Sequence, residues 1–169
     1  EGHGIYELSA AGIYGIPVEQ VGKQQRPTGK VAELSSQYQT GVGGIKKFAR
    51  TAKIKLHELY PALWQAASGE QREYADKRFA DREKAHDPNT VVLGREGWIA
   101  GELIKVGWRA KHPGIVASWA DLEEAAIEAV QNPGAVVSAL HGRIRYTVQH
   151  GFLWCRLPSG RCLAYGAPK

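Results

Sequence analysis

The apolar residues of this sequence change their spacing once. Up to Ala129 they recur at steps of three and four, and from Ile144 they alternate, so a helical body is followed by a sheet. The clearest helical run is Ile115, Trp119, Leu122, Ala126 and Ala129, one face of a helix that Asn132, Pro133 and Gly134 bring to a stop. Beyond it Ile144, Tyr146 and Val148 alternate, His150 and Gly151 turn, and Leu153, Cys155 and Leu157 alternate again. Pro158, Ser159 and Gly160 then lead into a third strand, Arg161 to Tyr165. The spacing predicts a mainly α chain with a small C-terminal antiparallel β-meander, an α+β fold.

The body is read as a series of helices. Ile5 to Ile16 has a helical pattern closed by Gly15 and Pro17. A second helix opens at Arg26 and Pro27 and runs through Val31 and Leu34 towards Tyr38, where Gly41, Gly43 and Gly44 are expected to break it. Lys46 to Ala67 reads as a basic helical stretch that Pro61 could interrupt, with Phe48, Leu56, Leu59, Leu63 and Trp64 as core candidates. Glu70 to His86 is almost entirely charged and reads as an exposed helix or arm, and Trp98 to Trp108 as an amphipathic helix.

At 169 residues, 43% hydrophobic and with five Trp, the chain is large and apolar enough to bury a core. Its formal charge of +5 suits a polyanionic partner. Cys155 and Cys162 form no CxxC pair and have no His at zinc-ligand spacing, which argues against a metal cluster and for a reduced, intracellular setting. No apolar run approaches the length of a bilayer span. The sequence contains no Met and opens on Glu1, so it is expected to be a portion of something longer.

The chemistry concentrates in Arg26, Lys30, Leu34 and Tyr38, four residues spaced by four. On a helix such positions drift by only about 40° per step and project from one face. That face offers two cations at its N-terminal end, then an aliphatic residue, then an aromatic one. A nucleotide has needs in the same order: a triphosphate wants fixed positive charge and a helix N-terminus, and sugar and base want apolar and stacking surface. The same spacing also describes an ordinary amphipathic helix with solvated cations.

The run RPTGKVAELSSQYQTGVGG, residues 26 to 44, resembles motif B, the O helix, of family A DNA polymerases in their phage-type branch. The upstream run GIYELSAAGIYGIPVEQVGKQQR resembles the stretch between motifs A and B, and CRLPSGRCLAY is similar to the strand pair that follows the fingers. The middle, Ala52 to Leu93, matches poorly. The resemblance implies a junction helix over 1–21, a fingers subdomain over 22–134 with the O helix at about 24–38 and the charged arm at about 69–90, and a meander over 135–169 returning to the palm edge.

It further implies that Arg26 and Lys30 contact the triphosphate of the incoming dNTP, with Lys30 also stabilising or protonating the leaving pyrophosphate. Leu34 would meet its sugar and base, and Tyr38 would stack at the template position. Tyr6 stands where many relatives carry a phosphate-binding His. Tyr38, Gln39, Lys46, Lys47 and Arg50 would contact DNA. Ser35, Ser36 and Gln37 replace the family's Ala-Leu-Gly, and Thr40 a customary Gly. The carboxylates for Mg2+ would lie before Glu1 and beyond Lys169. The implied activity is DNA-directed DNA polymerisation by an assembly, in the cytoplasm of a bacterial or phage-infected cell, with primer-template DNA and the remaining polymerase segments as partners. The competing reading is a non-catalytic nucleic-acid-binding or assembly module derived from the fingers.

Other chemistries fit less well. A phosphate loop of the NTPase kind would need Gly at Gln24 and Ser or Thr at Val31. His57, His86, His112 and His150 stand in no hydrolase motif. Cys155 and Cys162 flank a turn, where they could face each other as two reduced thiols.

Overall fold

The computed structural model describes residues 2–168, which form two compact units divided between His112 and Pro113. The chain is mainly helical with a small antiparallel sheet, as the change of period requires. No helix among the described residues is long and apolar enough to cross a membrane.

The first unit holds α1 (Ile5–Tyr14), a single 3-10 turn (Val18–Gln20), α2 (Arg26–Ser36), α3 (Val42–Thr51), α4 (Leu56–Ala66), α5 (Gly69–Lys84) and α6 (Pro88–Lys111). Gly15 ends α1 in the left-handed conformation, where a side chain would be strained. Ser68 and Gln71 cap α5 reciprocally, which explains how so charged a helix begins cleanly. The core is built around α6, whose residues from Gly97 to Lys105 are all buried, against Val31, Ala32, Ile45, Leu56 and Leu63.

Three expectations need correction here. The glycines do not break α2: Gly41 is the N-cap of α3, and Gly43 and Gly44 lie in its first turn, while α2 has already ended at Ser36. Pro61 does not interrupt its helix. It and His57 face solvent, so the carbonyl left without an amide partner meets water, and the break falls at residues 52–55, where Lys53 has φ 56°. Nor is the segment Trp98 to Trp108 amphipathic in its surroundings. Glu102 and Lys105 are buried on it as a 2.6 Å ion pair, and burial pulls the Lys105 ammonium below the usual lysine range.

The second unit holds α7 (Pro113–Gln131) and four strands, β1 (Val137–Ala139), β2 (Ile144–Gln149), β3 (Phe152–Arg156) and β4 (Cys162–Gly166), paired in sequence order as an antiparallel meander. Ala125 and Ala129 of α7 pack on Ile144, Tyr146, Leu153 and Cys155, the inward residues of β2 and β3. Ile115, expected on that buried face, is exposed, because it sits in the first turn of the helix. β1 adds a strand that alternation did not reveal. The two cysteines do not face each other: Cys155 lies opposite Leu163 and Cys162 opposite Arg156, so successive ladder positions send them to opposite faces of the sheet.

Candidate functional site

The site is built on α2, and what makes α2 unusual is how little of it is open. Thr28, Gly29, Val31, Ala32, Glu33, Ser35 and Ser36 are all buried. Arg26, Lys30 and Leu34 form the remaining stripe, with Arg26 and Leu34 exposed and Lys30 half-buried. Because the other faces are occupied, any ligand of this helix meets these side chains.

Two contacts hold the helix against α1. Gly29 lies so close that a Cβ would overlap the Tyr6 carbonyl oxygen and stand 2.8 Å from the Ala10 nitrogen. One turn further along α1, the Tyr14 hydroxyl and the Thr28 Oγ1 share a 2.7 Å hydrogen bond, and burial raises the Tyr14 phenol above its ordinary pKa. This packing places Tyr6 beside the first residue of α2. The Arg26 guanidinium lies over the Tyr6 ring, 5.3 Å from its centroid, and its Nε donates to the Glu7 carboxylate at 2.5 Å. The bond from Arg26 holds the Glu7 carboxyl below the usual carboxylate range.

The positive character of this end comes from side chains more than from open amides. The Arg26 amide donates to the Gly22 carbonyl at 3.1 Å and the Thr28 amide to the Gln25 carbonyl at 3.0 Å, and Pro27 has no amide to offer. No side chain caps the helix.

Tyr38, expected on the same helix face as Arg26, Lys30 and Leu34, lies past the end of α2, in the turn that also contains Gln39, and both are exposed, Tyr38 at 75%. Gln39 adopts φ 57°, a left-handed conformation that reverses the chain into α3. On α3, Lys46 and Arg50 are one turn apart and line a hollow of about 380 Å³ with Lys53, Lys55 and His57, while Lys47 is exposed and does not line it. Lys46 is already engaged, its Nζ donating to the Asn89 Oδ1 at 2.6 Å. The structure thus brings Tyr6 to Arg26, keeps Lys30 and Leu34 on the same stripe, and sets Lys46 with Arg50.

Two acidic residues of this region were not among the candidates. Glu7 has no local signature, since its partner is 19 residues away. Glu33 is buried on the far side of α2 and accepts from the Trp108 Nε1 at 3.0 Å. Neither joins a metal centre, and no cluster of three or more His, Cys, Asp or Glu able to hold a metal exists among the described residues. Three of the aspartates have structural employment: Asp76 pairs with Arg95, Asp87 accepts from the Asn89 amide at 2.9 Å at the start of α6, and Asp121 accepts from the Leu140 amide at 2.6 Å. The described residues do not fit a pair of catalytic Mg2+ ions.

No family model matches the chain, and no solved structure matches it. It is similar to a curated protein described as a DNA polymerase, from Bacillus phage SP02, with 35% identity over 170 aligned residues that take in 99% of this chain. The chain spans 20% of the length of that relative.

Proposed function

We propose that this chain is the nucleotide-gripping, fingers part of a template-directed DNA polymerase, working in the cytoplasm of a bacterial or phage-infected cell. The observation that carries the reading is the open stripe of Arg26, Lys30 and Leu34 on a helix otherwise buried. The similarity to a phage DNA polymerase over nearly the whole chain supports it.

In this reading Arg26 and Lys30 bind the triphosphate of the incoming dNTP. Lys30, one turn further in and less exposed, stabilises the charge that builds on the departing pyrophosphate. Leu34 packs on the sugar and base, and Tyr38, exposed just past the helix end, stacks on the template side of the nascent pair. The Tyr6 phenol offers a neutral hydrogen bond to phosphate beside Arg26. Gln39, Lys46, Lys47 and Arg50 contact the DNA backbone. Mg2+ belongs to carboxylates outside this chain, so the chain alone binds without polymerising.

The test is single-turnover incorporation by the polymerase that contains this chain. Arg26→Ala is expected to raise the apparent Kd for dNTP at least tenfold, by removal of a charge-assisted phosphate contact. An unchanged Kd contradicts the reading.

A further inference from the structure

The sheet of the second unit has an open face whose composition its fold does not explain. α7 covers the side carrying Ile144, Tyr146, Leu153 and Cys155. The alternate residues, Arg145 and Thr147 on β2 and Phe152, Trp154 and Arg156 on β3, project from the other side. The register sets Arg145 directly opposite Arg156 and Thr147 opposite Trp154. Side chains at such positions begin about 4.5–5.5 Å apart, and like charges placed there destabilise a sheet.

Among the described residues no ion pair offsets that repulsion. From Asn132 to Lys169 the sequence contains no Asp or Glu, against Arg143, Arg145, Arg156 and Arg161. Among the described residues none of these four arginines has a carboxylate partner. Arg145 and Arg156 border two hollows at once, one of about 350 Å³ with Trp154 and Thr147, and one of about 230 Å³ with Arg143. Inside the first, the Thr147 Oγ1 is buried without a hydrogen-bond partner. Phe152, 43% exposed, stands beside Trp154 with ring centroids 5.9 Å apart.

We propose that this open face binds single-stranded nucleic acid, with Arg145 and Arg156 neutralising its phosphates and Phe152 and Trp154 providing the surface on which its bases stack. An unpaired cation pair wants an anion, and the aromatic rings that continue along β3 from that pair, Trp154 half-buried and Phe152 exposed, suit unstacked bases more than they suit a duplex backbone. An acidic protein segment would satisfy the arginines but would leave the rings without a purpose. The assignment rests on the sheet alone and does not depend on the role given to α2.

The experiment is anisotropy of a labelled oligo-dT with the full 169-residue chain, across a salt series, for wild type and R145Q/R156Q. The expected result is at least a tenfold loss of affinity, a salt slope shallower by about 1.4, and a Tm equal to or above wild type because a like-charge pair is gone. A purely structural role would lower Tm and leave the slope of the folded fraction unchanged. Crosslinking wild-type chain to an oligonucleotide carrying 5-bromodeoxyuridine needs no variant, and adducts are expected within residues 152–156. Unchanged affinity and slope, adducts confined to residues 26–50, or binding of polyglutamate in place of the oligonucleotide would each overturn the proposal. Lys30→Ala serves as the control, since it tests α2 and is expected to leave the sheet adducts intact.

Discussion

Arg26 and Glu7 form an ion pair 2.5 Å long between the first turn of α2 and the first turn of α1, with the Arg26 and Glu7 side chains 50% and 23% exposed. The pair presets the arginine that the proposed triphosphate must engage. It uses the Nε edge of the guanidinium, and the remaining nitrogens stay available for a phosphate.

This pairing has a pH signature. Arg26 holds the Glu7 carboxyl below 4.5, its ordinary value, so the pair contributes above pH 4.5 and is lost as the pH falls through the lowered value. A carbon-13 titration of the Glu7 carboxyl is expected to show that depression, and Arg26→Ala to return the midpoint towards 4.5. A midpoint indifferent to Arg26→Ala would mean that the two side chains do not meet in solution.

The approach of α1 to α2 depends on Gly29. A methyl group there overlaps backbone, which cannot turn aside as a side-chain tip does. Gly29→Ala is expected to cost at least about 2 kcal/mol in urea unfolding and to separate Tyr6 from Arg26. An unchanged midpoint would show that the helices pack less closely than 2.8 Å between that methyl and the Ala10 nitrogen implies.

The buried pair Glu102–Lys105 makes a third prediction. Glu102→Leu strands a buried ammonium and is expected to cost about 3–5 kcal/mol, whereas adding Lys105→Met should recover most of the loss. Burial lowers the Lys105 pKa from 10.5, so the unfolded chain binds the extra proton. The penalty from this group is therefore full below its folded pKa and is relieved as the pH rises to 10.5. Denaturation of both variants across alkaline pH checks the sign.

Leu34 controls a fourth. At 38% exposure it is the apolar part of the stripe, and in the proposed reading it lies against the sugar. Leu34→Tyr is expected to ease incorporation of dideoxynucleotides, measured as the ratio of kcat/KM for ddNTP and dNTP. Unchanged discrimination would place the sugar elsewhere along the helix.

Much of this could be read from the sequence where the signal is local. The stripe of Arg26, Lys30 and Leu34 follows from a spacing of four on one helix, although α2 ends before the fourth member, Tyr38; β2 and β3 follow from alternation and β4 from the turn that precedes it. Tertiary relations were harder. Glu7 meets Arg26 only because Gly29 lets two helices touch, and β1 has three residues, too few to alternate visibly. Glu102 and Lys105 read as a polar face because a buried ion pair and a solvated one have the same sequence. The break at Lys53 was hidden because its left-handed conformation belongs to the backbone hydrogen bonds that close α3, the Ile54 amide donating to the Ala49 carbonyl at 2.8 Å, and not to a preference of lysine.

In the proposed reading α2 presents Lys30 to the phosphates of an incoming nucleotide. The measurement is kcat for nucleotide incorporation by the polymerase proposed to contain this chain, for wild type and Lys30→Ala. Loss of transition-state charge stabilisation predicts a fall of about a hundredfold or more. Turnover within about threefold of wild type would show that Lys30 does not act on those phosphates.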